Sequence, residues 1–149
     1  MISTGRSPAK RELALRLGAE AVVNTADKDW PAEVRRITGK RGVDIVVEHV
    51  GGAVLEQVFH CLARNGTVVT CGATAGREVK LNLWPLFVKQ QRLIGSYGRN
   101  RADMAETMRW AEQGWLKAVV DSEFKLGDGE RAYARLRSQE QLGKILIVP

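Results

Sequence analysis

The chain has 149 residues, 44% apolar and 27% charged, the balance of an ordinary globular domain that can bury its own core, and too apolar for a disordered segment. No apolar run reaches the roughly 20 residues that span a bilayer, and Met1-Ile2 runs straight into Ser3-Thr4-Gly5-Arg6 with no apolar leader, so no membrane partner and a cytoplasmic location are expected. A net charge of +6 would suit an anionic ligand or nucleic acid, but the cations are spread along the chain, with Lys40-Arg41 the densest pair, and this reads as solvated surface rather than a nucleic-acid stripe.

Elements alternate along the chain. Ser7 to Leu17 reads as a helix with Ser7 as cap, Pro8 in the first turn, and Ala9, Leu13 and Leu17 on one face. After Gly18, Ala21-Val22-Val23 reads as a short strand. Trp30 to Thr38 reads as a helix with Val34 and Ile37 inward, stopped by Gly39. Val43 to Val47 is a β-branched run interrupted only by Asp44 and reads as a buried strand ended by Gly51-Gly52. Leu55, Val58, Phe59 and Leu62 form a helical stripe. Asn65-Gly66 turns into a buried strand from Thr67 to Cys71. Leu83 to Gln90 reads as helix, Leu93-Ile94 as strand, and Ala102 to Glu112 as a helix with Met104, Met108 and Ala111 inward. Gly127-Asp128-Gly129 reads as a loop, Arg131 to Leu136 as a last helix and Ile145 to Val148 as a last strand.

Strands alternating with helices imply βαβ units: an α/β fold with a parallel sheet and helices on both faces. Cys61 and Cys71 form no Cys-x-x-Cys pair, and His49 and His60 lack metal-ligand spacing with them, so reduced thiols and no zinc are expected. No Ser-His-Asp set or carboxylate pair stands out. His49, beside a strand end, reads as a hydrogen-bonded structural residue, and no catalytic residue is assigned.

Ligands of doubly wound sheets bind beyond the carboxyl ends of the strands. The segments there are Thr4-Gly5-Arg6-Ser7, Val50-Gly51-Gly52, Gly72-Ala73-Thr74 and Ser96-Tyr97-Gly98. Glycine at such places either makes a tight turn or lets a ligand approach the backbone, and its recurrence at strand ends leaves both readings open.

Several segments then occur in a telling order: Lys10-Arg11-Glu12-Leu13-Ala14 with Leu17-Gly18-Ala19-Glu20, Thr38 to Val47, Val50-Gly51-Gly52, Gly66 to Gly72, Ile94-Gly95-Ser96 and Gly143-Lys144-Ile145-Leu146. Together they resemble the medium-chain dehydrogenase/reductases, the zinc-type alcohol dehydrogenases and above all the quinone oxidoreductases, across nearly the whole chain. The resemblance implies a Rossmann-type NAD(P)-binding domain over residues 1–126, with a helix and strand over 127–149 that in the family return toward a catalytic domain. It implies that the loop Thr4 to Lys10 reads the adenosine ribose. An acid there would favour NAD; instead Arg6, Ser7 and Lys10 could pair with a 2′-phosphate, which favours NADP(H) over NAD(H), or Arg6 and Lys10 are solvated helix-start residues. It further implies that Val50 and Gly51 face the nicotinamide ribose, and that Gly72, Ala73, Ser96 and Tyr97 lie beside the nicotinamide.

The departures are as specific. No G-x-G-x-x-G is present, and the chain opens inside what would be the family's second strand. The family's first strand, central in its sheet, and the glycine-rich loop after it are absent, so the doubly wound sheet is expected to be incomplete, with a gap and unpaired edges. Glu48-His49 stands where the family often has Asp and Pro. The functions left open are a fragment or subunit of an oxidoreductase transferring hydride between NADPH and a carbonyl, enone or quinone, and a non-enzymatic truncated nucleotide-binding or interaction module. The expected partners are a second copy, joined through Leu81 to Ser96 as family members often join, or a chain supplying the catalytic domain.

Overall fold

The computed structural model describes residues 1–98 and 100–149. They form two compact units, Met1–Tyr97 and Gly98–Pro149.

In the first unit, β1 (Ile2–Thr4) leads through α1 (Pro8–Arg16) to β2 (Ala21–Val23), which lies parallel to β1 with Ser3 opposite Val22. The Ser7 hydroxyl accepts from the Lys10 N–H at 3.3 Å and Pro8 occupies the first turn, so the expected cap forms. No residue of α1 is buried, however, and Ala9 and Leu17, expected on an inner face, are exposed. Helix α2 (Trp30–Ile37) then leads to β3 (Val43–Glu48), α3 (Gly52–Cys61) and β4 (Leu62–Thr70). Helix α4 (Leu83–Val88) and β5 (Arg92–Gly95) complete the unit. β3, β4 and β5 make a second parallel sheet with β4 in the middle; Val46 lies opposite Val68 and Val68 opposite Leu93. β4 begins at Leu62, earlier than the strand expected from Thr67, because Asn65, at φ +61°, and Gly66 form an irregularity within the strand rather than a turn before it.

Among the described residues, β1 pairs only with β2, and β3 pairs only with β4. The expected break between the family's second and fourth strands is therefore present. Val23, Trp30, Val34, Leu55, Val58, Phe59, Cys61, Leu62 and Val68 form one buried cluster, with Ile2, Val43 and Val46 packed against it. Side chains from both sheets thus meet α2 and α3 in a single core, each fully buried aliphatic or aromatic side chain contributing about 1.5–3 kcal/mol. The other face of β3 is bare. Ile45 is 67% and Val47 70% exposed, which corrects the expectation of a strand buried on both faces: parallel strands are buried on both sides only where helices cover both, and here nothing described covers that side.

In the second unit, Asn100 caps α5 (Arg101–Glu112) by accepting from the Asp103 N–H at 2.8 Å. α5 buries no residue, so Met104 and Met108, expected inward, lie on an open face. A strand that the sequence pattern did not reveal, β6 (Val120–Lys125), runs parallel to β7 (Lys144–Val148). Between them lie a 3₁₀ turn at Leu126–Asp128, which overlaps the loop expected at Gly127-Asp128-Gly129, and α6 (Gly129–Arg137), which begins at the last residue of that loop. The Asp121 carboxylate, on a side chain only 7% exposed, accepts from Arg135 Nε at 2.9 Å and Nη2 at 2.8 Å, from the Leu142 N–H at 2.8 Å and from the Ser122 hydroxyl. The Arg135 guanidinium, and then the Leu142 amide, hold its carboxyl well below the usual aspartate range. A group stabilised in its charged form supports folding at pH values above the unfolded aspartate pKa of about 3.9, and that support fades as the pH falls below it. Asp121→Asn is therefore expected to lower the denaturation midpoint of this unit at pH 7, with the difference from the unaltered chain shrinking between pH 4 and pH 2. Urea titrations at several pH values would check this; a difference independent of pH would contradict it.

Candidate functional site at the carboxyl ends of the strands

The carboxyl ends of β3, β4 and β5 form one continuous edge. The Cys71 N–H donates to the Glu48 carbonyl at 2.9 Å, the Ala75 N–H to the Val50 carbonyl at 2.7 Å, and the Ser96 N–H to the Thr70 carbonyl at 2.8 Å. A parallel bridge joins Gly51 to Gly76, closed by the Gly52 N–H donating to the Gly76 carbonyl at 3.1 Å. The backbones approach so closely that two glycines are required. Gly51 holds φ +73°, and a Cβ there would lie 2.4 Å from the Gly76 oxygen. A Cβ on Gly72 would lie 2.7 Å from the His49 oxygen. At these two positions close packing of backbone against backbone explains the glycine, and the same packing leaves a rim with few side chains.

The predicted site residues fall into two groups. Val50, Gly51, Gly72, Ala73 and Ser96 are brought together by this rim, with Tyr97 next in the chain and largely exposed. Arg6, Ser7 and Lys10 lie at the carboxyl end of β1, on the other sheet. There the Gly5 N–H donates to the Val23 carbonyl at 3.0 Å, extending the β1–β2 pairing by one residue. The Ser7 hydroxyl oxygen is engaged as the cap of α1, which leaves its O–H to donate. Arg6 and Lys10 are exposed on the loop and first turn.

Two residues that organise the site were not foreseen. Arg11 Nη1 donates to the carbonyls of Gly5 at 3.0 Å and Arg6 at 2.6 Å, which ties the β1 loop to its helix. Glu48, 3% exposed, accepts from the N–H groups of Val50 at 2.6 Å and Gly51 at 2.8 Å with the same oxygen, Oε1. Its Oε2 accepts from the Thr70 hydroxyl at 3.4 Å. An acidic residue closing an apolar strand just before Gly-Gly was a signal for Glu48; nothing in the spacing of Arg11 distinguishes it from its cationic neighbours. Elsewhere, burial pushes the Cys61 thiol up to about 12, which leaves it protonated and inert at neutral pH. Among the described residues no three His, Cys, Asp or Glu side chains gather as a metal site, and no helix is long and apolar enough to cross a membrane. An open depression of about 540 Å³ is lined by Lys28, Asp29, Pro31, Arg35, Gln57 and His60 among others; these belong to α2, α3 and their flanks, and none is a predicted site residue.

Residues 1–113 match the family described as zinc-binding dehydrogenases. The chain is 30% identical, over 93% of its length, to an NAD-dependent alcohol dehydrogenase of Saccharolobus solfataricus, of which it covers 40%. It is 29% identical over its whole length to quinone oxidoreductase 1 of Escherichia coli, covering 49% of that protein. Its fold superposes on the alcohol dehydrogenase of the hyperthermophilic archaeon Aeropyrum pernix with a TM-score of 0.88 at 29% identity, over 99% of this chain and 42% of that one. The chain thus spans about two fifths to one half of the relatives it matches, and the open β1 and β3 edges occur in a fold otherwise superposable on theirs. On this sequence and structural evidence the chain belongs to the zinc-binding dehydrogenase family, within the medium-chain dehydrogenase/reductases, and carries the nucleotide-binding half of that architecture.

Proposed function

We propose that this chain is the nucleotide-binding part of an NADP(H)-dependent oxidoreductase acting on a carbonyl, enone or quinone. The observation that carries the reading is the rim at the ends of β3, β4 and β5, where Val50, Gly51, Gly72, Ala73 and Ser96 are gathered on one edge that carries few side chains. The bound nicotinamide would supply the hydride that reduces the substrate. The chain's own residues bind and orient: Val50 and Gly51 face the ribose, and Gly72, Ala73, Ser96 and Tyr97 lie beside the ring. At the β1 end, the guanidinium of Arg6, the ammonium of Lys10 and the hydroxyl of Ser7 suit a 2′-phosphate dianion, and no carboxylate stands in the loop to hold a free 2′-hydroxyl. These two groups fit the two ends of the cofactor. The pyrophosphate between them has no glycine-rich loop in this chain, so the chain alone holds the cofactor weakly. Substrate contacts and proton donors come from a catalytic domain outside these residues. Two free cysteines, one of them buried, fit a reducing cytoplasm.

A second copy is the proposed partner at the β5 edge. Among the described residues β5 is bonded on one side only, and Leu83, Trp84 and Phe87 of the preceding helix are exposed, as are Leu93 and Ile94 of the strand itself, exposed apolar side chains of the kind that mark interfaces. A two-fold contact needs only one self-complementary surface.

Calorimetric titration is expected to give NADPH a dissociation constant weaker than about 10 μM and NADH one weaker still, with Arg6→Glu removing most of the preference; a low-micromolar constant for NADH would contradict the reading. Sedimentation is expected to show a dimer that Leu93→Lys converts to monomer, since a charge on a strand edge opposes pairing. A monomer of the unaltered chain at high concentration, or a dimer that survives Leu93→Lys, would remove β5 as the interface.

A further inference from the structure

Glu48 is a charged side chain buried at the end of a strand, at the rim assigned above to the nicotinamide side of the cofactor. We infer that Glu48 is a positioning residue: its carboxylate fixes the Val50–Gly51 turn from beneath and reserves this strand end for the uncharged sugar–ring portion of the ligand rather than for a phosphate. The inference rests on the cofactor reading and extends it to a residue that touches no ligand.

Three observations carry it. First, Oε1 gathers the N–H groups of both Val50 and Gly51, at 2.6 and 2.8 Å. Two amides on one carboxylate oxygen are charge-assisted bonds, stronger than neutral ones, and they hold Gly51 at φ +73°, where its backbone lies against Ala73 and Gly76. Secondly, the remaining backbone groups of the turn are also committed: the Val50 carbonyl accepts from Ala75, and the Gly51 carbonyl from the Leu55 N–H at 3.4 Å. Thirdly, the direction of the two amides decides the chemistry. Anion sites at glycine turns work because successive N–H groups point out at the ligand. Here they point inward at a carboxylate that is 3% exposed. A phosphate at this rim would meet neither donor, and would face a negative charge behind the turn. A ribose hydroxyl or a neutral amide-bearing ring meets no such opposition.

The test compares Glu48→Ala and Glu48→Gln with the unaltered chain. Two quantities are read: amide hydrogen exchange at Val50 and Gly51, and the affinities for NADPH and for 2′,5′-ADP, which carries the 2′-phosphate but no nicotinamide. In Glu48→Ala, exchange at the two amides is expected to rise about tenfold or more, with β4 still protected, because buried donors lose their acceptor. NADPH affinity falls about tenfold and 2′,5′-ADP affinity is unchanged. Glu48→Gln, whose amide oxygen still accepts while its nitrogen can donate to Thr70, recovers most of both. Unchanged exchange in Glu48→Ala, or an equal loss for the two nucleotides, would overturn the inference, because a merely structural role weakens both alike. If Glu48→Ala fails to fold, Glu48→Gln decides: loss of the charge must shift the Val50 and Gly51 amide protons upfield, and no shift overturns the assignment. Failure of the unaltered chain to bind either nucleotide would remove the cofactor reading and the sugar–ring assignment with it, while the exchange data would separately show whether Glu48 holds the turn.

Discussion

The first unit depends on one layer of apolar packing. Val34 and Trp30 of α2, with Leu55, Val58 and Phe59 of α3, bury themselves between Val23 on one sheet and Val68 on the other. Among the described residues no ladder joins the two sheets, since β1 and β3 share no pairing. Backbone hydrogen bonds fix geometry within each sheet, and the relation between the sheets is set by side-chain packing alone. Parallel pairing is ordinarily continuous across a doubly wound sheet, so this arrangement moves to the helix layer a task usually shared with the strands.

That division reaches the candidate site. The β1 loop bearing Arg6, Ser7 and Lys10 belongs to the two-stranded sheet, and the rim bearing Gly51, Gly72 and Ser96 belongs to the three-stranded one. Each end is tied by one side chain: Arg11 donates to the carbonyls of Gly5 and Arg6, and Glu48 accepts from the amides of Val50 and Gly51. The distance between the ends is held by α2 and α3. A ligand that spanned both would sense the core through that distance, and a strand inserted between β1 and β3 would replace packing with hydrogen bonds as the determinant of it. The bare side chains of Ile45 and Val47 lie on a face of β3 that only an element packed against the sheet, such as a helix, would cover.

Local chemistry was legible in the sequence. The Ser7-Pro8 start of α1, the run Val43 to Val47, and Leu55, Val58 and Phe59 of the expected helical stripe each correspond to an observed element, because capping and periodicity act over a few residues; Leu62, expected on the same helix, instead opens β4. The ordered segments from Lys10 to Leu146 gave the family and the break in its sheet. Burial was less legible, because it depends on what lies opposite. Ile45, Val47, Met104 and Met108 have the spacing of inward residues and no described neighbour to cover them. Strand β6 escaped notice because Val120-Asp121-Ser122-Glu123-Phe124-Lys125 has the composition of a surface loop; its Asp121 is engaged by Arg135 and Leu142, 14 and 21 residues away. Glu48 escaped for a related reason: a carboxylate is presumed to face solvent, and its acceptor role emerges only when the chain turns back at Gly51.

The central claim is that β1 and β3 are open edges of two sheets held together by a shared core. Residue-resolved amide hydrogen exchange of the unaltered chain tests it most directly. β4, bonded on both sides, is expected to exchange slowest, with protection near that of global unfolding, while β1 and β3 show alternating fast and slow amides, the fast ones being those that point away from β2 and β4. Uniform slow exchange along both β1 and β3 would mean that these edges are paired in solution, and would contradict the account.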